Sequence, residues 1–134
     1  MYETILAPID LSYPRQASQT LGTARHIGTE RSRVIALYVS PDIPGFVTGE
    51  LPKELVEKNL ATARKALAFH AGQAKTEFEI RWGHPPIVIL EYAKEISADL
   101  IVVASHRPEL EDYFLGATAA RVVRHAACPV LVDR

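Results

Sequence analysis

Val34-Ile35-Ala36-Leu37-Tyr38-Val39 is apolar at every position, and so is Leu100-Ile101-Val102-Val103-Ala104. A strand with one wet face alternates apolar and polar residues, whereas a short unbroken apolar run needs cover on both faces. Such strands belong in a parallel sheet enclosed by helices. Thr4-Ile5-Leu6-Ala7-Pro8-Ile9 reads the same way. Pro8 cannot donate to a ladder, so it belongs near that strand's end.

Helical periodicity fills the intervals. Ser12 is a good N-cap, Pro14 suits a first turn, and Ala17, Leu21, Ala24 and Ile27 recur at helical spacing before a stop at Gly28. Residues 40–51 hold Pro41, Pro44, Gly45 and Gly49 and read as a loop. A helix over 52–71 follows, with Val56, Leu60, Ala63 and Leu67 on one stripe. Phe78, Ile80 and Trp82 alternate with Glu77, Glu79 and Arg81, which predicts an edge strand with the aromatic residues turned to the core. Gly83 and Pro85-Pro86 break the chain, and Ile89, Leu90, Ala93 and Ile96 restore helical spacing. Gly116 opens a last helix with Ala119, Val122, Val123 and Ala126 inward, and Pro129-Val130-Leu131-Val132 forms a short final strand.

Strict alternation of strands and helices implies one doubly wound α/β domain over 1–134, a five-stranded parallel sheet with right-handed crossovers and helices on both faces. The two-faced runs belong at the centre and the other two at the edges, which selects strand order 3-2-1-4-5. Ligands bind such a sheet beyond the carboxyl ends of its first and fourth strands, where the order reverses.

Composition narrows the class of function. The chain has 134 residues, 48% of them apolar and 23% charged, as in a soluble globular protein. Fifteen Lys and Arg against sixteen Asp and Glu leave a net charge of −1. That is not the basic excess of a general nucleic-acid binder, so no nucleic-acid partner is expected. One cysteine excludes an internal disulfide, and no apolar run approaches a membrane span. The strand-like run begins at Thr4, so no signal peptide is expected ahead of it and a cytoplasmic protein is.

The reversal point nominates Asp10 after the first strand, Val39 and Ser40 after the second, Ser105, His106 and Arg107 after the fourth, and the helix start Gly116-Ala117-Thr118. Asp10 suits a cation or a ribose hydroxyl, or simply a helix N-terminus. Free N–H groups at a helix start suit a phosphate, as does Arg107. His106 has no evident base or nucleophile beside it, so no catalytic residue is assigned. The other histidines and Cys128 lack metal-ligand spacing, and Cys128 reads as a small buried hydrophobe. There is no GxxxxGK[ST] and no GxGxxG after the first strand.

Ile5-Leu6-Ala7-Pro8-Ile9-Asp10 resembles the opening of the universal stress protein family. Ile101 to Pro108, Leu115-Gly116 and Val122 to Val132 resemble its C-terminal signature, and Gly83-His84-Pro85 with Ile89, Leu90 and Ala93 resembles its middle segment. The likeness runs through the whole chain. It implies a Rossmann-like, adenine-nucleotide α-hydrolase-like fold. It also implies a stress-response regulator binding ATP or another adenine nucleotide, with Mg²⁺ only alongside the nucleotide. Many members bind phosphates through G-x-x-G-x(9)-G-[ST]. Carried over, its positions fall on Ala104, Arg107, Gly116 and Ala117; only Gly116 matches, and the last interval is one residue short. Thr118 is then the nearest hydroxyl. Asp10 takes the place of the acidic residue near ribose and metal, and Val39 that of the backbone facing adenine.

Two readings stand at this point. One is a nucleotide-binding regulator that hydrolyses ATP slowly at most. The other is an interaction module that has lost its nucleotide site. In both, the apolar edge Val130-Leu131-Val132 invites pairing with a second copy, and the resemblance implies a homodimer there.

Overall fold

The computed structural model describes residues 1–40, 58, 61, 62, 65, 66, 76–105 and 115–134. Strands β1 (Thr4–Ile9), β2 (Arg33–Ser40), β3 (Thr76–Trp82), β4 (Leu100–Ala104) and β5 (Val130–Asp133) form one sheet in the order β3-β2-β1-β4-β5. Every neighbouring pair is parallel, as the unbroken apolar runs require. Helices α1 (Pro14–Ile27), α2 (Pro85–Glu95) and α3 (Ala117–His125) complete the described elements. Lys58, Ala61, Thr62, Lys65 and Ala66 are helical, inside the helix expected over 52–71. The stripe Val56, Leu60, Ala63 and Leu67 and the expected loop beyond Ser40 lie outside the described residues.

The core has two layers, one on each side of the sheet. Ile5, Ala7, Val34, Ala36, Leu100 and Val102 meet Ala17, Leu21 and Ala24 of α1. The alternate residues Leu6, Ile35, Leu37, Ile101 and Val103 meet α2 and α3 through Ile89, Tyr92, Ala119 and Val122. Successive residues on a strand point to opposite faces, so a central strand must be apolar throughout to feed both layers.

Several local expectations are corrected. Ser12 is not the cap of α1; Tyr13 is, and Pro14 is the first helical residue. Proline disfavours helical geometry in the residue before it, so the boundary falls at Tyr13 and Ser12 is one position too early. Phe78 and Trp82 are not core residues: they are 38% and 43% exposed, and only Ile80 between them is buried. Helix α1 packs chiefly over β1, β4 and β2, and of Phe78, Ile80 and Trp82 only Ile80 joins the core layer beneath it. Val123 also faces solvent, because α3 buries Ala119 and Val122 and the next residue is turned about 100° away. On the other face of β3, Glu77 pairs with Arg33 at 2.8 Å and Arg81 with Glu95 at 2.9 Å. The final strand runs from Val130 to Asp133, one residue beyond the apolar run.

Two glycines stand where a side chain meets resistance, Gly83 more than Gly28. At Gly28 a Cβ would lie 3.1 Å from Ser32 Cβ and 3.3 Å from Ile5 Cδ1, so close approach is the constraint. Gly83 has φ +134°, and a Cβ there would lie 2.8 Å from Val88 Cγ2. Helix α2 ends in a Schellman motif. Ala98 N–H donates to Ala93 O at 2.8 Å, and Ser97 N–H donates to Lys94 O at 3.2 Å. Ser97 is left-handed at φ 53°. That conformation costs an L-residue roughly 1–2 kcal/mol, partly offset by the greater chain entropy glycine loses, about 0.5–1 kcal/mol. Ser97→Gly is therefore expected to stabilise the fold by about 0.5–1 kcal/mol in urea denaturation; a loss of stability would contradict this account of the turn.

The start of the sheet is fastened by Asp99. Its Oδ2 and Oδ1 accept the N–H groups of Glu3 and Thr4 at 2.8 and 2.9 Å, and its own N–H donates to Thr4 O at 3.0 Å. This clamp sets β1 beside β4 at their amino ends.

Candidate functional site

β1 and β4 pair only at Ile5↔Leu100 and Leu6↔Ile101, whereas β1 stays with β2 through Ile9↔Tyr38. Past Leu6 the first and fourth strands part. A cavity of about 540 Å³ opens in the gap at their carboxyl ends. That volume lies in the range of small-molecule sites, roughly 300–1,000 Å³.

Asp10, Val39, Ser105, Gly116, Ala117 and Thr118 all line this cavity. Four separate segments bring them together. Arg107 and His106 lie outside the described residues. Asp10 is exposed, and its Oδ1 accepts Ser12 N–H at 2.9 Å while its carbonyl accepts Tyr13 N–H at 3.0 Å. The turn into α1 therefore orients the carboxylate at the mouth. Ser105 is 3% exposed. Its N–H donates to Asp133 O at 2.8 Å and its carbonyl accepts Gly116 N–H at 2.6 Å. The end of β4 is thus stitched to the start of α3.

The three described helices all begin at this end of the sheet, but they do not offer the same chemistry. Proline opens α1, and two prolines open α2. Proline has no N–H, so these starts are short of donors. None of the three has a side-chain cap or an acidic residue in its first turn, but α3 opens on Gly116 and Ala117 without a proline. The first N–H groups of a helix have no partner within it, and the dipole is positive there. Val39, Leu37 and Ile89 add apolar surface to the lining. The lining thus combines apolar surface, helix-start donors suited to an anion, and the Asp10 carboxylate suited to a hydroxyl or a cation.

The sequence reading missed the contribution of α1. Tyr13, Gln16, Ala17 and Thr20 also line the cavity. Their spacing of three, four and seven places them on one helical face, and polar Gln16 and Thr20 beside an apolar stripe were the available signal. At the opposite end of the sheet Cys128 is half-buried, less enclosed than expected, against the α2 and α3 layer. Burial, with the charge of Asp99 nearby, pushes its thiol up, so it stays protonated at neutral pH.

The model of the Universal stress protein family matches residues 1–134. The chain belongs to this family. A universal stress protein of Methanocaldococcus jannaschii, MJ0531, is 32% identical over 98% of this chain and 82% of its own length. The solved structure of universal stress protein UspA from Lactobacillus plantarum superposes with a TM-score of 0.78 at 28% identity, covering 99% of this chain and 98% of that one. The universal stress protein from Archaeoglobus fulgidus, solved in complex with dAMP, has the same fold, with a TM-score of 0.72 at 20% identity over 99% of this chain and 98% of its own. Among the described residues no helix is long and apolar enough to cross a membrane.

Proposed function

We propose that this universal stress protein is a cytoplasmic stress-response regulator that takes ATP or another adenine nucleotide into the cavity between β1 and β4. The observation that carries the reading is the convergence on one cavity of the donor-rich start of α3, the oriented carboxylate of Asp10 and the apolar side of Val39. The dAMP complex of the Archaeoglobus fulgidus relative supports the class of ligand. In this assignment the adenine lies along Val39 and Asp10 receives the ribose. The N–H groups of Ala117 and Thr118, the Thr118 hydroxyl and Ser105 hold phosphate, with Arg107 supplying a guanidinium. When Mg²⁺ accompanies the nucleotide, Asp10 is the carboxylate placed to meet it.

Calorimetric titration with ATP and Mg²⁺ tests the reading. Saturable heat is expected at micromolar to submillimolar concentration; no heat up to millimolar nucleotide would return the fold to a non-nucleotide interaction module. We assign the homodimer contact to the open edge of β5, where Val130, Leu131 and Val132 remain half-buried. Sedimentation at micromolar concentration is expected to show twice the 14.8 kDa chain mass, and a monomer would contradict it.

A further inference from the structure

We propose that Asp133 is a positioning residue for the cavity. It acts from outside, at the end of edge strand β5, and fixes two of the cavity's buried walls. The proposal rests on the nucleotide reading above for its effect on affinity, and on geometry alone for its effect on structure.

The geometry runs through both halves of the residue. The Asp133 carbonyl accepts the N–H of buried Ser105 at 2.8 Å, and Ser105 in turn accepts Gly116 N–H at 2.6 Å. A relay of main-chain bonds thus leads from β5 to the residue that caps α3. The carboxylate faces the other way. Leu131 packs in the α1 layer, and Asp133, two residues on, projects to the same face. There its Oδ1 accepts the Thr23 hydroxyl at 3.1 Å, and its Oδ2 lies 3.5 Å from the hydroxyl of Thr20. Thr20 is 1% exposed and lines the cavity. Next to this pair, Gln19 Nε2 donates to the Arg134 carbonyl at 3.0 Å.

The physical need follows from where β5 sits. It has four residues at the edge of the sheet, and within one chain its strand partner among the described residues is β4. A short edge strand opens readily unless something ties it down. The α1 hydroxyls provide that tie. They hold the carboxylate, the held residue keeps its carbonyl on Ser105, and Ser105 keeps Gly116 at the mouth of the site. A pocket that binds phosphate through main-chain donors depends on the position of that main chain to within a fraction of an ångström.

Amide hydrogen exchange in the ligand-free protein and calorimetry with ATP and Mg²⁺ test the proposal on Asp133→Ala, Asp133→Asn and Thr23→Val. In Asp133→Ala, the Ser105 and Gly116 amides are expected to exchange about tenfold faster or more, while central β1 and β2 amides keep their protection. ATP affinity is expected to fall about tenfold, the order of one lost hydrogen bond. Asp133→Asn keeps an acceptor for Thr23 and should bind within about threefold of the parent. Thr23→Val leaves β5 intact and should reproduce the Asp133→Ala pattern in weaker form. Unchanged exchange at Ser105 and Gly116, or uniform acceleration across the sheet, would overturn the positioning role. ATP affinity equal in Asp133→Ala and the parent would overturn its effect on binding. A parent protein that does not bind ATP overturns the nucleotide reading instead, and the exchange pattern still decides whether Asp133 holds the cavity walls.

Discussion

Ala117→Asp is expected to weaken adenine-nucleotide binding about 100-fold while leaving the protein at least as stable as before. Ala117 is the first residue of α3, is exposed and lines the cavity. A carboxylate there would repel a phosphate held by the helix start, and a separation on the order of 5 Å between the two charges sets the scale. At an effective dielectric near 20, that repulsion is roughly 3 kcal/mol, a loss of about 100-fold in affinity. The fold responds with the opposite sign. The first turn of α3 has no acidic residue, and one added there interacts favourably with the helix dipole, by about 0.3–1 kcal/mol. Calorimetry and thermal unfolding on the same sample separate the two effects. Binding retained within a few-fold would mean that the phosphate does not sit at α3. Binding lost together with stability would mean that the substitution reports on folding alone.

Leu6→Ala is expected to destabilise the fold by about 2–5 kcal/mol, the range for large-to-small changes in a packed core. Leu6 is fully buried on the central strand and lies in the layer with Ile35, Ile89, Ile101 and Val122. Strands β2 and β4 flank it, and α2 and α3 cover it, so little can collapse into the space left behind. Domains of this kind have total stabilities of about 5–15 kcal/mol, so a loss of this size leaves little margin. Phe78→Ala removes more atoms but from a residue 38% exposed on an edge strand, and a smaller loss than Leu6→Ala is expected. Urea denaturation of the two variants checks the order. A larger loss for Phe78→Ala would place the main core at the β3 edge and contradict the two-layer account.

The elements most legible in the sequence were those with one dominant physical demand. Val34 to Val39 and Leu100 to Ala104 could only be strands covered on both faces, and this set the parallel sheet, its centre and its order. Where two demands compete, the reading slipped. At the start of α1, the capping preference of Ser12 competes with the proline at position 14, and the proline prevails because it constrains backbone angles directly. At β3 the alternation is genuine, yet Phe78 and Trp82 stay exposed because burial depends on what packs over the strand. At α3, Val122 and Val123 look alike in sequence and differ by one step around the helix.

The site divides in the same way. As residues lining the cavity, Asp10, Val39, Ser105 and Gly116 to Thr118 were legible because topology places strand ends and helix starts at a known point. Thr20 and Gln16 were not, since their role comes from the face α1 turns to the crevice. Nor was Asp133, whose bonds to Thr23 and Ser105 join residues far apart in the chain.

The central claim is that an adenine nucleotide occupies the gap between β1 and β4 at the start of α3. Titrating ATP with Mg²⁺ into isotope-labelled protein and following backbone amide resonances tests it residue by residue. The amides of Asp10, Val39, Ser105, Gly116, Ala117 and Thr118 are expected to shift in a saturable manner, while Ala98 and Cys128 at the far end of the sheet stay still. Silence at the first group up to millimolar nucleotide, or shifts centred on the second, would contradict the account.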